Sequence, residues 1–289
     1  MKLREIYQRD TVAVSFELFP PKTEKGMENL FTNMDELVTC SPAFITCTYG
    51  AGGSTQTRTL EVLDGVQQRY PGIPVATHLT CVGATVDDLR AYIEEAKRRG
   101  VEYIVALRGD PPKGETAFVK TEGGLGYANE LVDLIKAEYP DFGILVAGYP
   151  ETHQEAPDHI TDLANLKRKV EAGADAVVTQ LFYDNDDFYR FRDAYDAAGI
   201  KVPLIPGILP VTNLGQIQRL TSMCGSKLPD ELVRRLSAHE GDDEGQFSVG
   251  VYYAARQVED LMENGVPGIH FYVLNKSRAT AMICRTLVL

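Results

Sequence analysis

Apolar positions recur along this chain in two rhythms that alternate almost from end to end. Short runs rich in Val, Ile, Leu, Phe and Ala, at about 12–18, 44–49, 75–80, 103–109, 143–149, 176–182, 202–208 and 268–274, read as strands. The stretches between them place apolar residues at helical spacing, the first with Met27, Leu30, Phe31, Met34, Leu37 and Val38. Further helices are predicted over 55–69, from 85 to just before Gly100, and over 126–138, 159–172, 186–198, 213–223, 229–239 and 245–263, with a closing helix from Arg278. Thr85 suits the N-cap of its helix. Near-continuous apolar strands joined by helices imply a parallel sheet covered on its outer face. Eight such units predict a (β/α)8 barrel filling 1–289 as a single domain. A doubly wound sheet is the alternative, but Gly-x-Gly-x-x-Gly is absent after the first strand, and the Gly50–Gly53 cluster follows the second with different spacing.

Barrel chemistry belongs at the C-terminal mouth, so polar groups at the strand ends are the candidates. Glu17 lies in Val14-Ser15-Phe16-Glu17-Leu18-Phe19-Pro20-Pro21. The prolines stop that strand and leave Glu17 at its lip, with Ser15 on the same side and Val14, Phe16 and Leu18 on the other. Apolar surroundings are expected to raise its pKa, as a general acid near neutral pH requires. A rim glutamate paired with an arginine is the plainer alternative. Later strands end in Thr48 and Tyr49, His78 and Thr80, Arg108 and Asp110, Tyr149 and His153, Gln180, then Tyr272, Asn275 and Lys276. The seventh offers Gly207, where backbone could approach a flat ligand closely. Alternation puts Ala106 on the face of Arg108 and Asp110, Ala147 with Tyr149, and Ala76 with His78: small inward residues below polar ones, leaving room for a ligand. Any one such residue could equally be a solvated loop start.

Composition narrows the chemistry. With 289 residues, 44% of them hydrophobic, the chain can bury a large core; its net charge of −12 and pI near 4.9 argue against a nucleic-acid footprint. No apolar run nears the ~20 residues of a membrane span, and Met1-Lys2-Leu3-Arg4-Glu5 has no signal-peptide core, so a cytoplasmic protein is expected. Cys40, Cys47, Cys81, Cys224 and Cys284 are scattered, which fits reduced thiols. The strand runs hold no lysine for a Schiff base, and neither a metal-ligand spacing nor a serine nucleophile elbow is present. That leaves a bound organic cofactor oriented by the protein. Asp162, Asn165, Lys167, Arg168 and Lys169 share one predicted helix; its three consecutive cations suit a diphosphate, or form a solvated face.

Taken in order, these motifs resemble the methylenetetrahydrofolate reductase family, in its short bacterial form, from about residue 12 to 285. The resemblance rests on Ser15-Phe16-Glu17 with Pro20-Pro21, Thr48-Tyr49-Gly50, His78-Leu79-Thr80-Cys81, Leu107-Arg108-Gly109-Asp110, Tyr149-Pro150-Glu151, Asn165-Leu166-Lys167-Arg168-Lys169, Thr179-Gln180, Pro206-Gly207-Ile208 and Phe271-Tyr272-Val273-Leu274-Asn275. It implies a (β/α)8 barrel with FAD held non-covalently at the mouth. NADH or NADPH gives up a hydride and leaves; 5,10-methylenetetrahydrofolate then enters and becomes 5-methyltetrahydrofolate, a ping-pong reaction of one-carbon metabolism that feeds methionine synthesis. By resemblance Glu17 is the acid that helps open the folate ring, Asp110 lies between flavin and pterin, Gln180 touches either substrate, and Thr48 faces the nicotinamide. The implied FAD contacts are Tyr49, Ala51, His78, Arg108, Gly109, Asp110, Tyr127, Tyr149, His153, Ala156, Asp162, Asn165, Arg168 and Lys169. Gln216 and Lys276 would help bind folate and Leu220 would pack on bound substrate. Relatives often carry arginine in place of Lys276 and an aromatic in place of Leu220, which bears on substrate affinity. A regulatory domain like that of eukaryotic relatives is not expected here, and apolar helix faces suit a homo-oligomer. Two rival functions make different demands. A flavin barrel oxidising a small amine needs more arginines on the last helix than Arg278 and Arg285; a non-redox pterin-binding methyltransferase would be colourless.

Overall fold

In a computed structural model that describes residues 2–49, 56–111, 114 and 117–289, the apolar runs form a ring of parallel strands with helices outside it. The strands are β1 (Ala13–Leu18), β2 (Phe44–Cys47), β3 (Val75–Thr80), β4 (Tyr103–Leu107), β5 (Gly143–Gly148), β6 (Ala176–Thr179), β7 (Leu204–Ile205), β8 (Gly207–Ile208) and β9 (Gly268–Tyr272). Their order is β7-β6-β5-β4-β3-β2-β1-β9-β8. Only Pro206 separates β7 from β8, so the two are halves of one strand, and the ring closes through it. Proline has no N–H to give to a ladder. Its carbonyl instead accepts from the backbone of His270, 3.0 Å away, at the point where pairing passes from β6 to β9. This is the expected (β/α)8 barrel, with the seventh strand broken at a proline.

A helix of four residues, α1 (Leu3–Ile6), precedes the barrel. Outside the ring lie α2 (Glu24–Leu37), α3 (Gln56–Arg69), α4 (Val86–Arg98), α5 (Ala128–Glu138), α6 (His159–Glu171) and α7 (Asn185–Ala197). After β8 come α8 (Leu214–Cys224), α9 (Asp230–Ser237) and α10 (Asp243–Glu263), and α11 (Arg278–Leu287) follows β9. Thr85 caps α4 as expected, its hydroxyl accepting from the Asp88 amide at 3.2 Å while Asp88 answers the Thr85 amide at 2.9 Å. Among the described residues, no helix is long and apolar enough to cross a membrane.

Two apolar layers result. Val14, Phe16 and Leu18 join the outer layer between strands and helices, each at most 3% exposed. Phe44, Ala76, Tyr103, Val105, Leu145 and Ala176 fill the lower lumen. Leu3, Ile6 and Tyr7 from α1 and its end seal that lumen from the N-terminal side. One turn of helix is too short to show a period, so α1 was not legible from the pattern.

The predicted facing of β4 was wrong. Ala106 belongs to the outer layer, whereas Val105 and Leu107 point into the lumen. Paired positions on neighbouring parallel strands share a face, and the register sets Val105 beside His78 and Leu107 beside Thr80, both of which line the cavity. Alternation along β4 alone fixes two faces but not which one is inside.

Candidate active site

Above the apolar lower lumen, the strand ends enclose a cavity of about 420 Å³ at the C-terminal mouth. Glu17 lines this cavity and is buried. Two histidines flank its Oε2: His78 Nε2 at 3.3 Å, close enough for an ion pair but poorly aligned for a hydrogen bond, and His270 Nε2 at 3.7 Å. His270 is held from behind through Nδ1, 2.8 Å from Ser15 Oγ.

This arrangement overturns the expected rise in the pKa of Glu17. Burial does push it up, but the charge of His78 and the contacts from both imidazoles outweigh burial and hold the carboxyl down at about 2. Tyr272, one strand over, is pushed well above the ordinary phenol range by burial and then by Glu17, and donates to the Thr179 carbonyl at 2.6 Å.

The same cavity gathers Thr48, Tyr49, Gly109, Asp110, Gln180 and Leu220. Asp110 gets there through Gly109, whose φ of 90° turns the chain after Arg108; a side chain at Gly109 would come within 2.6 Å of Val82. Among the described residues, three buried polar atoms of its lining, Thr46 Oγ1, Thr80 Oγ1 and His78 Nε2, have no hydrogen-bond partner. Buried polar atoms without a hydrogen bond are uncommon in folded proteins, and here they belong to residues lining a cavity.

A second groove of about 520 Å³ adjoins the first and shares Arg108, Ala147, Tyr149 and His153 with it. Tyr127, Ala156, Asp162, Asn165, Arg168 and Lys169 complete its predicted lining. Arg108 forks onto Glu155 at 2.5 and 2.6 Å. The Lys169 ammonium is buried below Tyr149 and donates to the Ala147 carbonyl at 2.5 Å. Burial brings its pKa down to about 8, only partly countered by Asp162, whose carboxylate also accepts from the His153 amide at 2.9 Å. Lys167 instead donates to the Ala198 carbonyl at 3.0 Å and does not line the groove, so the three consecutive cations divide between two faces.

Gln216 and Lys276 share a third cleft, of about 580 Å³, whose lining includes one turn of α8 adjacent to Leu220. Ala51 falls outside the described residues, as does the rest of the Gly50–Gly53 cluster. Gly207 does not line the mouth. A side chain there would lie 2.2 Å from the Thr179 carbonyl and 2.7 Å from the Tyr272 ring, so this glycine serves the seam of the barrel and not a ligand. His270 and Glu155 were missed. His270 has the inward parity of Tyr272 on the last strand, a signal that was available; nothing local marks Glu155 as the partner of Arg108.

An α/β barrel with a buried acid at its mouth and a cation-lined groove beside it is the architecture of a ligand-transforming barrel protein. A family model described as methylenetetrahydrofolate reductase matches residues 2–288. Over 276 residues the chain is 41% identical to 5,10-methylenetetrahydrofolate reductase of Escherichia coli (strain K12), covering 96% of this chain and 90% of that protein. Over 296 residues it is 39% identical to methylenetetrahydrofolate reductase (NADH) 1 of Arabidopsis thaliana, covering 99% of this chain and 50% of the relative, so it spans about half the length of such plant proteins. The fold is shared with an uncharacterized protein from Clostridium thermocellum that binds two copies of 5-methyl-5,6,7,8-tetrahydrofolic acid, at TM-score 0.65, 16% identity and 99% coverage of both chains. The chain belongs to the methylenetetrahydrofolate reductase family.

Proposed function

We propose that this protein reduces 5,10-methylenetetrahydrofolate to 5-methyltetrahydrofolate with a reduced nicotinamide dinucleotide, using non-covalently bound FAD, and so supplies methyl groups for methionine synthesis. The observation that carries this reading is the meeting of Glu17, Asp110 and Gln180 in one mouth cavity that continues into a groove lined by Arg168 and Lys169. The residues fit the cofactor: a buried ammonium and a neighbouring guanidinium suit its diphosphate, and hydroxyls with no hydrogen bond among the described residues suit its polar ring edge. When bound there, flavin would take a hydride from the nicotinamide and later return one to the folate.

The chain's own residues supply the rest. Arg108, Arg168 and Lys169 bind negative charge, and Tyr149 walls the passage between the two cavities. Glu17 stands within ion-pair distance of His78 and His270 in the mouth cavity. Glu17 Oε2 faces both imidazoles, so a proton given to the substrate nitrogen as the folate ring opens would pass by way of that oxygen. Leu220 and Thr48 border the same space and would pack on whichever substrate is bound. Gln216 and Lys276 extend the reach toward the glutamyl end of the folate.

The test is an anaerobic titration of the purified protein, which should be yellow, with NADH and NADPH in turn, followed by methylenetetrahydrofolate. Bleaching by at least one nicotinamide and recolouring by folate are expected. A colourless preparation that takes up no flavin rejects the reading. Glu17→Gln should bleach normally yet fail to recolour; equal damage to both half-reactions would remove Glu17 from the acid role.

A further inference from the structure

The turn after β9 holds two consecutive non-glycine residues in the left-handed region, Leu274 at φ 48° and Asn275 at φ 57°. Asparagine tolerates that conformation, but leucine does so rarely, and such strain persists only where the surroundings impose it. The imposing contact is visible. The Phe19 amide donates to Asn275 Oδ1 at 2.8 Å, and Asn275 Nδ2 donates back to the Phe19 carbonyl at 2.8 Å.

We propose that Asn275 is a positioning residue, a clamp that fixes the strand end bearing Glu17 against the turn that presents Leu274 and Lys276 to substrate. β1 and β9 pair up to Glu17 and Tyr272. Beyond that rung the β9 chain turns away, and the planar side-chain amide of Asn275 stands in for the missing peptide. Pro20 and Pro21 come next on the β1 side and have no N–H to offer, so Phe19 is the last residue at which that strand can be held by both backbone groups. The two halves of the clamp carry cavity walls: Phe19 and Leu274 line the mouth, and Lys276 lines the cleft with Gln216. At the far end of the turn Ser277 Oγ donates to Asn33 Oδ1 at 3.0 Å, so the turn is anchored on both sides. The clamp therefore sets the distance between the proton source and the groups that hold the folate. This inference rests on reading the mouth as the folate site.

Asn275→Gly separates the clamp from local backbone preference, because glycine adopts a positive φ at no cost while removing both hydrogen bonds. The variant should melt within a few degrees of the parent, keep its flavin, and accept hydride from the nicotinamide within about twofold of the parent rate. Its kcat/KM for methylenetetrahydrofolate should fall by roughly tenfold to a hundredfold, the loss expected of a misplaced substrate. Asn275→Asp, which keeps the acceptor for the Phe19 amide, should recover part of that loss. Amide exchange at Phe19 in the ligand-free protein should quicken at least about tenfold in the glycine variant. Parental folate kinetics in Asn275→Gly, or an equal loss in both half-reactions, overturns the positioning role. Unchanged exchange at Phe19 overturns the clamp itself, whatever the substrate. If the parent protein turns over no folate, the functional reading fails separately, and the exchange measurement still judges the clamp.

Discussion

Replacing Lys169 by methionine should make the flavin-free protein more stable while weakening its hold on a diphosphate. Methionine matches the lysine stem in length and can stay packed beneath Tyr149 without a charge to desolvate. Burial brings the lysine from its ordinary 10.5 to about 8. At roughly 1.4 kcal/mol for each tenfold change in proton affinity, that fall corresponds to about 3 kcal/mol of penalty carried by the folded state near neutral pH. Against it stands the Ala147 carbonyl, which would lose its donor at a cost of about 1–2 kcal/mol. The net gain should thus be about 1–2 kcal/mol, read by urea unfolding of flavin-stripped protein at pH 7. The pH dependence carries a definite sign. Between about 8 and 10.5 the unfolded lysine is protonated and the folded one is not, so stability of the parent should rise with pH across that window. The methionine variant lacks this rise, and the difference between the two proteins isolates Lys169 from tyrosines titrating nearby. Flavin affinity should drop about tenfold or more, because a buried partner of the diphosphate is gone. A variant that is less stable than the parent at pH 7, or that binds flavin equally well, would refute the view of this lysine as a cation kept at a cost for an anion.

Two further outcomes follow from the geometry. Gly207→Ala places a methyl group 2.2 Å from the Thr179 carbonyl and against Tyr272, where backbone cannot yield cheaply; a loss of about 3 kcal/mol in thermal or urea unfolding is expected. Parental stability would mean that the seam between β6 and β9 can open. Asp110→Asn removes a carboxylate from the mouth without changing its shape, and should slow folate reduction more than flavin reduction in separate stopped-flow experiments. Equal slowing would place Asp110 outside the folate step.

What the sequence by itself determined is what periodicity and local chemistry can carry. Eight alternating units, the shared face of Ser15 and Glu17 on β1, the Thr85 cap, and the gathering of Asp162, Asn165 and Arg168 on one helix were all legible, because strand parity and helix spacing are properties of neighbours in the chain. Tertiary structure alone decided the rest. The facing of β4 depended on its register with β3, the role of Gly207 on a tyrosine from another strand, and the floor of the barrel on a helix too short to announce itself. The acidity of Glu17 went against expectation because it is set through space. His270, hydrogen-bonded to Ser15 across 255 residues of sequence, and His78 from β3 bring charge to a carboxyl whose own neighbours in the chain supply only apolar surface. Burial acts on a residue through its segment, but a coulombic pull at 3 to 4 Å acts only once the fold has chosen which strands stand side by side.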